Sequence, residues 1–399
     1  MDLKGDYMKL NFSRILALAV NATLLFSAQS GRSSELQQSK WEDTCSSWKP
    51  KFRVPQELTV HKSLCFKVQQ GMVHAMDFQA KGKKEKGTVF AIHGNASWSL
   101  LFHKSAELLQ AEGYRVIAVD LLGFGLSNKP NQRVFDYSIA SQSRVVQEVV
   151  SQLKLKNYYL LLHDWGNAIG FDLATQNPEN VKGIISTTGF AWPFEKHEKQ
   201  FHAFIERGED ALKNHDKYLY KFPHFTGQGW AKRLYSEDDP RYEQLSKVGS
   251  APFVNPKTGK LWSQNVGYPI LKFAQEVETA LPFMRDLQAK LTSIHKIPLS
   301  VILGDDTAFG PLKCNLKKGE SLCPENYTCE GEKPYNMHSN CVDKKGKTTW
   351  PLADRFEEVW EENSLVGIYR LHGVGHWLPL EAPYTIVSSL KIMEKNKKP

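Results

Sequence analysis

Residues 160–170 read LLLHDWGNAIG, an apolar run that stops at a polar turn and continues as an amphipathic stretch. This pattern predicts a buried strand, a tight turn and a helix in direct succession. In such a turn the backbone lifts one side chain above the sheet beside the helix N-terminus, where a nucleophile is exposed. Asp164 occupies that place. An Asp could instead merely cap the following helix, so the motif alone leaves two interpretations open.

Strand and helix patterns alternate through most of the chain. Short apolar runs bounded by turn signals have the length of buried parallel strands. Between them lie helix-length amphipathic stretches such as Ile139–Leu153. The predicted fold class is therefore α/β, with a mostly parallel, doubly wound sheet. The predicted strands are Gly87–His93, Tyr114–Leu121, Tyr158–His163, Val181–Thr188, Pro298–Leu303 and Gly367–Leu371.

One long segment interrupts this alternation. Residues 193–291 are aromatic-rich, charged and mostly helical in pattern, without strand runs, which indicates an inserted helical cap. The predicted organisation is a signal peptide at 1–30, an N-terminal arm at 31–65, a core in two parts at 66–192 and 292–399, the cap at 193–291, and a cysteine-rich insertion at 312–350.

The composition is that of a globular protein. The chain has 399 residues, of which 41% are hydrophobic and 24% charged, and a net charge of +8. These values exclude a mainly disordered chain and a coiled coil. No basic stripe with interleaved aromatic residues is present, so we predict no nucleic-acid partner. No feature of the sequence indicates an oligomeric state.

The N-terminal segment has the pattern of a secretory signal. Lys9 and Arg14 precede the apolar stretch Ile15–Phe26, and small and polar residues follow it. Since a bilayer-spanning helix needs roughly 20 apolar residues, this shorter stretch favours cleavage over a permanent anchor. We therefore expect a protein that is secreted or lies in the lumen of the secretory pathway, without a membrane span.

The cysteines agree with that route. An even number of cysteines in a secreted chain favours disulfide bonds, and no CxxC pair supports zinc binding. We expect the four clustered cysteines to staple a small excursion and the first two to tie down the N-terminal arm. The sequon at Asn326 makes a glycoprotein with a glycan in this excursion the expectation. The candidate disulfide cysteines are Cys45, Cys65, Cys314, Cys323, Cys329 and Cys341.

Two later segments complete a catalytic constellation with Asp164. An apolar strand ends in Asp305 and Asp306, and a later strand is followed by His376 between Gly375 and Trp377. Nucleophile, acid and His in this chain order are used by one large group of hydrolases. Neither segment suffices alone, because a lone His after a strand is more often structural.

Three further motifs carry a family resemblance. Residues 93–95 read HGN, residues 120–127 read DLLGFGLS, and residues 163–166 read HDWG. With these motifs, the stretch from Phe66 to Met393 resembles the Asp-nucleophile branch of the α/β-hydrolases. It is most similar to the haloalkane dehalogenases, with epoxide hydrolases and β-lactone decarboxylases as near relatives. The motifs are specific to the branch and only loosely to a substrate.

The resemblance implies a catalytic triad with defined roles. Asp164 is ionised near neutral pH, so it can attack an sp³ carbon and form an alkyl ester. His376 then activates a water that hydrolyses the ester, and Asp306 orients the imidazole. Asn95 and Trp165 are assigned to halide binding by their side chains and to the oxyanion hole by their backbone N–H groups. The resemblance implies no metal and no organic cofactor, only a small apolar electrophilic substrate and water.

The choice of the acid also rests on the resemblance. Relatives place it in a run similar to Asp-x-x-Phe/Leu-Gly-Pro, and residues 306–311 read DTAFGP, which favours Asp306 over Asp305. Some dehalogenases carry the acid after the preceding strand instead. Residues 186–189 read STTG and offer no carboxylate there.

Several functions remain open beside carbon–halogen hydrolysis. The chain could be an epoxide hydrolase or a β-lactone-acting relative, a luciferase of the dehalogenase-like kind, or a catalytically silent binding protein on the same fold. Opening an epoxide requires an acid, which two cap tyrosines facing Asp164 would supply. The candidates for that role are Tyr218, Tyr220, Tyr235, Tyr242 and Tyr268.

Overall fold

The computed structural model describes residues 62–82, 84–196, 198, 201–255, 257–305, 326–330 and 340–396. Several predictions fall outside these ranges: the signal peptide, Cys45, Asp306, Cys314 and Cys323. The described part contains most of the cap, the segment that carries His376, and residues 160–170, whose tight turn between strand and helix at Asp164 is called the elbow below.

The core is an eight-stranded sheet with helices on both sides. Its strand order is β1-β2-β4-β3-β5-β6-β7-β10; β2 pairs antiparallel with β1 and β4, and the remaining pairs are parallel. This confirms the predicted α/β-hydrolase fold class. The strands are β1 (Lys62–Val68), β2 (Gly71–Phe78), β3 (Gly87–Ile92), β4 (Tyr114–Val119), β5 (Tyr158–His163), β6 (Val181–Thr187), β7 (Leu299–Gly304), β8 (Tyr327–Glu330), β9 (Asn340–Asp343) and β10 (Leu365–Leu371).

The centre of the sheet places the elbow at a favourable position for ligand binding. Strand β5 is buried throughout and lies between β3 and β6, as its continuous apolar run predicts. The chain passes from β3 outward to β4 and then returns to the other side of β3 to form β5. A crevice forms where strand order reverses in this way, at the carboxyl ends of the strands. Asn95 follows β3 and Asp164 follows β5, so both lie at this crevice.

The hairpin β1–β2 was not predicted, and its polar residues explain why. Strand β2 is buried along its whole length although it contains His74 and Asp77. The His74 Nδ1 atom lies 2.8 Å from Asp120, and Asp77 accepts two hydrogen bonds of 2.8 Å from Arg115. Distant partners thus satisfy polar groups that obscure the strand pattern. Strand β1 also begins at Lys62, before the predicted start of the core at residue 66.

The helices fall into two groups, those that alternate with or follow the strands of the sheet and those within residues 202–290. Helix α2 has the predicted bounds and is capped by Ser138, whose hydroxyl accepts from the Ser141 N–H at 3.2 Å. No helix of the described ranges is both long and apolar enough to cross a membrane. The core helices are α1 (His103–Ala111), α2 (Ile139–Leu153), α3 (Gly166–Gln176), α9 (Pro351–Val359), α10 (Leu378–Glu381) and α11 (Pro383–Lys395), and the cap helices are α4 (His202–Lys213), α5 (Phe222–Leu234), α6 (Pro240–Ser250), α7 (Tyr268–Thr279) and α8 (Leu281–Lys290).

The described part of the cysteine-rich insertion forms a small separate sheet. Strands β8 and β9 pair antiparallel, with Cys329 opposite Cys341. Strands of four residues are too short to show a sequence period, which is why none was predicted here. Cys65, Cys329 and Cys341 carry no free thiol. The pairing scheme stays a prediction, because the other three cysteines lie outside the described residues.

Candidate active site

Asp164 occupies a strained turn between β5 and α3. Its φ angle is +53°, in the left-handed region that non-glycine residues adopt rarely and that is often found at active sites. A Cβ atom on Gly166 would lie 2.2 Å from the Ile92 carbonyl oxygen, so only glycine allows α3 to start this close to β3. Helix α3 has no side-chain cap. The Asp164 side chain therefore does not act as the helix cap, which was one of the two interpretations of the motif.

The Asp164 carboxylate faces two predicted partners. Its Oδ1 atom accepts a hydrogen bond of 2.7 Å from the Asn95 backbone N–H. Its Oδ2 atom lies 3.6 Å from His376 Nε2, just beyond hydrogen-bond distance. A Cβ on Gly94 would lie 2.2 Å from Oδ1, so glycine is needed for the loop after β3 to pass over the carboxylate.

His376 lies in the cavity wall with 29% of its side chain exposed, and it is neutral at neutral pH. Burial lowers its pKa well below the usual value, and the nearby His163 and Arg207 lower it further. A neutral imidazole can take a proton from water, whereas an imidazolium cannot. The lowered pKa keeps His376 neutral at neutral pH, with its Nε2 atom 3.6 Å from the Asp164 carboxylate.

Glu381 anchors the loop on both sides of His376, and sequence reasoning missed it. Its carboxylate accepts from the Gly375 N–H at 2.8 Å and from the Trp377 N–H at 2.9 Å. Arg233 of the cap donates to the same carboxylate at 2.8 Å. No motif in the sequence marks Glu381 as a loop anchor, because its side chain meets these N–H groups only after the chain turns back through α10.

His163 contacts the backbone and the ring of His376. Its Nε2 atom lies 2.9 Å from the His376 carbonyl oxygen, and the two rings are 4.8 Å apart. Since a carbonyl only accepts, Nε2 carries the proton and donates. Burial lowers the pKa of His163, and its Nδ1 atom is buried without a hydrogen-bond partner in the described structure. His163 thus holds the backbone of His376 as a neutral donor.

The two predicted halide-binding side chains line the same cavity. Trp165 is almost fully buried, and its ring packs edge-on against Phe190 at 4.9 Å. Asn95 donates one amide N–H to the Ile270 carbonyl at 3.3 Å, and its Oδ1 accepts from the Ala96 N–H at 2.7 Å. One amide N–H of Asn95 therefore remains for a ligand.

The cavity above Asp164 has a volume of about 380 Å³ and mostly apolar walls. Its ionisable lining groups are Asp164, Arg207 and His376. None of the five candidate cap tyrosines lines it, and the Tyr218 hydroxyl instead donates to Asp210 at 2.8 Å. The lining residues are Asn95, Ala96, Asp164, Trp165, Phe190, Phe194, Phe204, Arg207, Phe222, Thr226, Gly229, Phe273, Ala274, Val277, His376 and Trp377.

Of the two adjacent acids at the end of β7, the structure describes only Asp305. Asp306 lies outside the described residues, so its role stays a prediction. Asp305 accepts a hydrogen bond from the Gly373 N–H, and its carboxylate lies 2.8 Å from His372 Nδ1. Both oxygens of Asp305 therefore contact groups other than His376. Within the described ranges, no group of three or more His, Cys, Asp or Glu side chains could hold a metal ion.

Comparison with known proteins gives a family and several relatives. The sequence pattern of the alpha/beta hydrolase fold family matches residues 87–334. A haloalkane dehalogenase from Psychrobacter cryohalolentis is 41% identical over 114 residues, covering 29% of this chain and 36% of the relative. Haloalkane dehalogenase 2 from Mycobacterium bovis is 31% identical over 140 residues, covering 34% of this chain and 45% of the relative.

A solved structure extends the likeness across the fold. Haloalkane dehalogenase DatA from Agrobacterium tumefaciens C58 superimposes with a TM-score of 0.58 at 16% identity, covering 86% of this chain and 100% of that chain. Identity this low shows the fold alone. The curated relatives are matched over less than half of their length. Taken together, the comparisons confirm the predicted resemblance to haloalkane dehalogenases.

Proposed function

Because the chain belongs to the alpha/beta hydrolase fold family, we propose that it hydrolyses the carbon–halogen bond of a small apolar substrate through a covalent ester of Asp164. One arrangement carries the proposal. An Asp on a strained elbow faces a neutral His across 3.6 Å, beneath an apolar cavity that two side-chain N–H donors line. An anion leaving into apolar surroundings requires such donors.

In the first step Asp164 displaces the halide. The Oδ2 atom attacks the carbon, a carbon–oxygen bond forms, and the carbon–halogen bond breaks with its electron pair leaving on the halide. Trp165 and Asn95 donate hydrogen bonds to the departing anion. Oδ1 remains as the ester carbonyl oxygen, held by the Asn95 N–H at the 2.7 Å seen in the free protein.

In the second step His376 activates water. Its neutral Nε2 accepts a proton while the water oxygen attacks Cγ of Asp164. The negative charge develops on Oδ1, where the Asn95 N–H stabilises it. Collapse of the intermediate releases the alcohol and restores the carboxylate, and the proton then leaves His376. Asp306 is expected to orient the imidazole through Nδ1.

Epoxide hydrolysis is less well supported by the cavity. Opening an epoxide ring places charge on the ring oxygen, which a nearby acid must protonate. The described cavity lining contains no tyrosine, and Tyr218 and Tyr220 form hydrogen bonds elsewhere in the cap. These contacts favour halide departure over epoxide opening.

Halide release tests the proposal. The wild-type protein should release halide from 1-halo- and 1,2-dihaloalkanes, and Asp164→Asn should abolish release. His376→Gln should stop the reaction at the ester, so intact mass should show one alkyl group per chain. Asp305→Asn is the matched control and should retain activity, because the Asp305 carboxylate contacts His372 and Gly373 instead of His376.

Other outcomes would redirect the assignment. Epoxide opening without halide release would point to an epoxide hydrolase, and light emission with a luciferin to a luciferase. If no electrophile gives an ester in the His376 variant, the chain is a binding protein on this fold.

We also propose that the chain enters the secretory pathway. The apolar segment Ile15–Phe26 and the even number of cysteines support this route. Asn326 is exposed immediately before β8, where a glycan could be attached.

A further inference from the structure

Arg207 introduces a positive charge into a mostly apolar cavity wall. It lies on cap helix α4 and lines the cavity that contains Asp164 and His376. Because its side chain is exposed, Arg207 lies where the cavity opens to solvent. An apolar substrate alone gives no reason for a guanidinium at this place.

Three carboxylates near Arg207 are paired with other cations. Glu209 and Glu278 both contact Lys196, at 3.1 Å and 3.4 Å. Asp210 contacts Lys217 at 2.7 Å. Within the described part of the chain, no carboxylate forms an ion pair with Arg207. Its charge therefore remains available to a ligand.

Packing directs the guanidinium along the cavity wall. Its central carbon lies 5.2 Å from the ring centroid of Phe222, which also lines the cavity. The neighbouring Gly208 lets α4 approach α7, since a Cβ there would lie 2.9 Å from Val277 Cβ. The charge of Arg207 also reaches His376, whose pKa it helps to lower. Arg207 is thus held near the reacting groups by its surroundings.

We infer that Arg207 binds the carboxylate of the substrate, so that the preferred substrate is a halocarboxylate with its carbon–halogen end at Asp164. The planar guanidinium fork matches a carboxylate with two parallel hydrogen bonds. An anionic substrate would otherwise be repelled by the Asp164 carboxylate, and the positive charge at the opening offsets that repulsion. The apolar wall between the two ends accommodates the carbon chain. This inference rests on the proposed function for the identity of the leaving group.

The test compares a charged with a neutral substrate of equal length. For 6-chlorohexanoate, Arg207→Gln should lower kcat/KM about tenfold, mainly through KM. For 6-chlorohexanol the value should stay within about twofold, and Arg207→Lys should recover part of the loss. Lys213→Gln is the matched control, because it removes one positive charge from the exposed face of the same helix. It should change neither substrate's kinetics.

A binding experiment separates this inference from the catalytic proposal. Hexanoate cannot react, so calorimetry measures its affinity whether or not the protein is a dehalogenase. Arg207→Gln should weaken hexanoate binding about tenfold and leave hexanol binding unchanged. If the affinity falls as expected but neither chloro compound is hydrolysed, the carboxylate site stands and the proposed function fails.

Three results would overturn the inference. Equal losses for 6-chlorohexanoate and 6-chlorohexanol would make Arg207 a packing residue. Equal effects of Arg207→Gln and Lys213→Gln would show that the substrate responds to the overall charge of the cap and not to a specific contact with Arg207. Weaker inhibition by free chloride in Arg207→Gln, without discrimination between the two substrates, would assign Arg207 to the halide.

Discussion

Replacing Glu381 by Gln tests whether the loop that carries His376 must be held rigidly. The Glu381 side chain is 6% exposed, and its two oxygens accept from two backbone N–H groups and from Arg233. Gln keeps one acceptor oxygen and turns the other into an NH₂ group, which faces a donor. At least one buried hydrogen bond to a charged group is then lost, which costs about 1.5–3 kcal/mol. We expect the free energy of unfolding to fall by roughly 2 kcal/mol.

The kinetic effect should fall on one step only. Attack by Asp164 on the substrate needs no base, whereas ester hydrolysis needs His376 in place. A displacement of about 1 Å can cost roughly 100-fold in rate. Glu381→Gln should therefore leave the first step within about threefold and slow hydrolysis about 100-fold. Rapid mixing would then show a burst of halide equal to the protein concentration, followed by a slow phase.

A surface glutamate provides the control. Glu361 contacts His295 at 2.9 Å and is about half exposed, so Glu361→Gln should change neither the burst nor the midpoint of thermal unfolding by much. The reasoning is refuted if Glu381→Gln lowers the unfolding midpoint but leaves the hydrolysis rate unchanged. It is equally refuted if the first step slows and no ester accumulates.

The other predictions concern pH, backbone clearance and redox state. Because the pKa of His376 is well below its usual value of 6.5, the hydrolysis rate should stay constant as the pH falls through 6.5 and should decline only at a much lower pH. Stopped-flow rates that halve near pH 6.5 would contradict this prediction. Burial lowers the pKa of His93 from 6.5 to about 4, so the unfolded chain binds a proton first on acidification. Stability should therefore decrease by roughly 3 kcal/mol from this group between pH 6.5 and 4, measured by urea unfolding, and a flat profile would exclude it. Gly94→Ala should displace the Asp164 carboxylate and lower the rate of ester formation at least tenfold, whereas an unchanged rate would show that the loop can move away. Cys65 should resist thiol reagents in the native protein and react after reduction, and a mass shift without reductant would disprove the predicted disulfide.

The elbow was predictable because its determinants are local. The bounds of β5 and α2 agree with the prediction because a buried apolar run and an amphipathic period are properties of adjacent residues. The predicted chemistry followed from the residue type at position 164, because an Asp nucleophile can carry out fewer reactions than a Ser or Cys nucleophile in the same turn. The order of nucleophile, acid and His can also be read directly from the sequence.

Other features depend on groups far apart in sequence. The hairpin β1–β2 could not be predicted, because the charges on β2 are satisfied by Asp120 and Arg115, which only folding brings there. Strands β8 and β9 are too short to carry a period. The direction of the cap tyrosines was open in the sequence, and in the folded protein none of the five candidates lines the cavity.

The sequence by itself determined the fold class, the position of Asp164 and the identity of its partner His376, because each is encoded in a short motif. Only the tertiary structure decided which other groups act at the cavity. Glu381 reaches back to two N–H groups beside His376, and Arg207 lies over Phe222 at the cavity opening. Both roles arise from side-chain contacts that form only when the chain folds: Glu381 turns back onto the loop beside His376 and meets Arg233 of the cap, and Arg207 packs on a neighbouring cap helix. Such contacts leave no pattern in neighbouring residues.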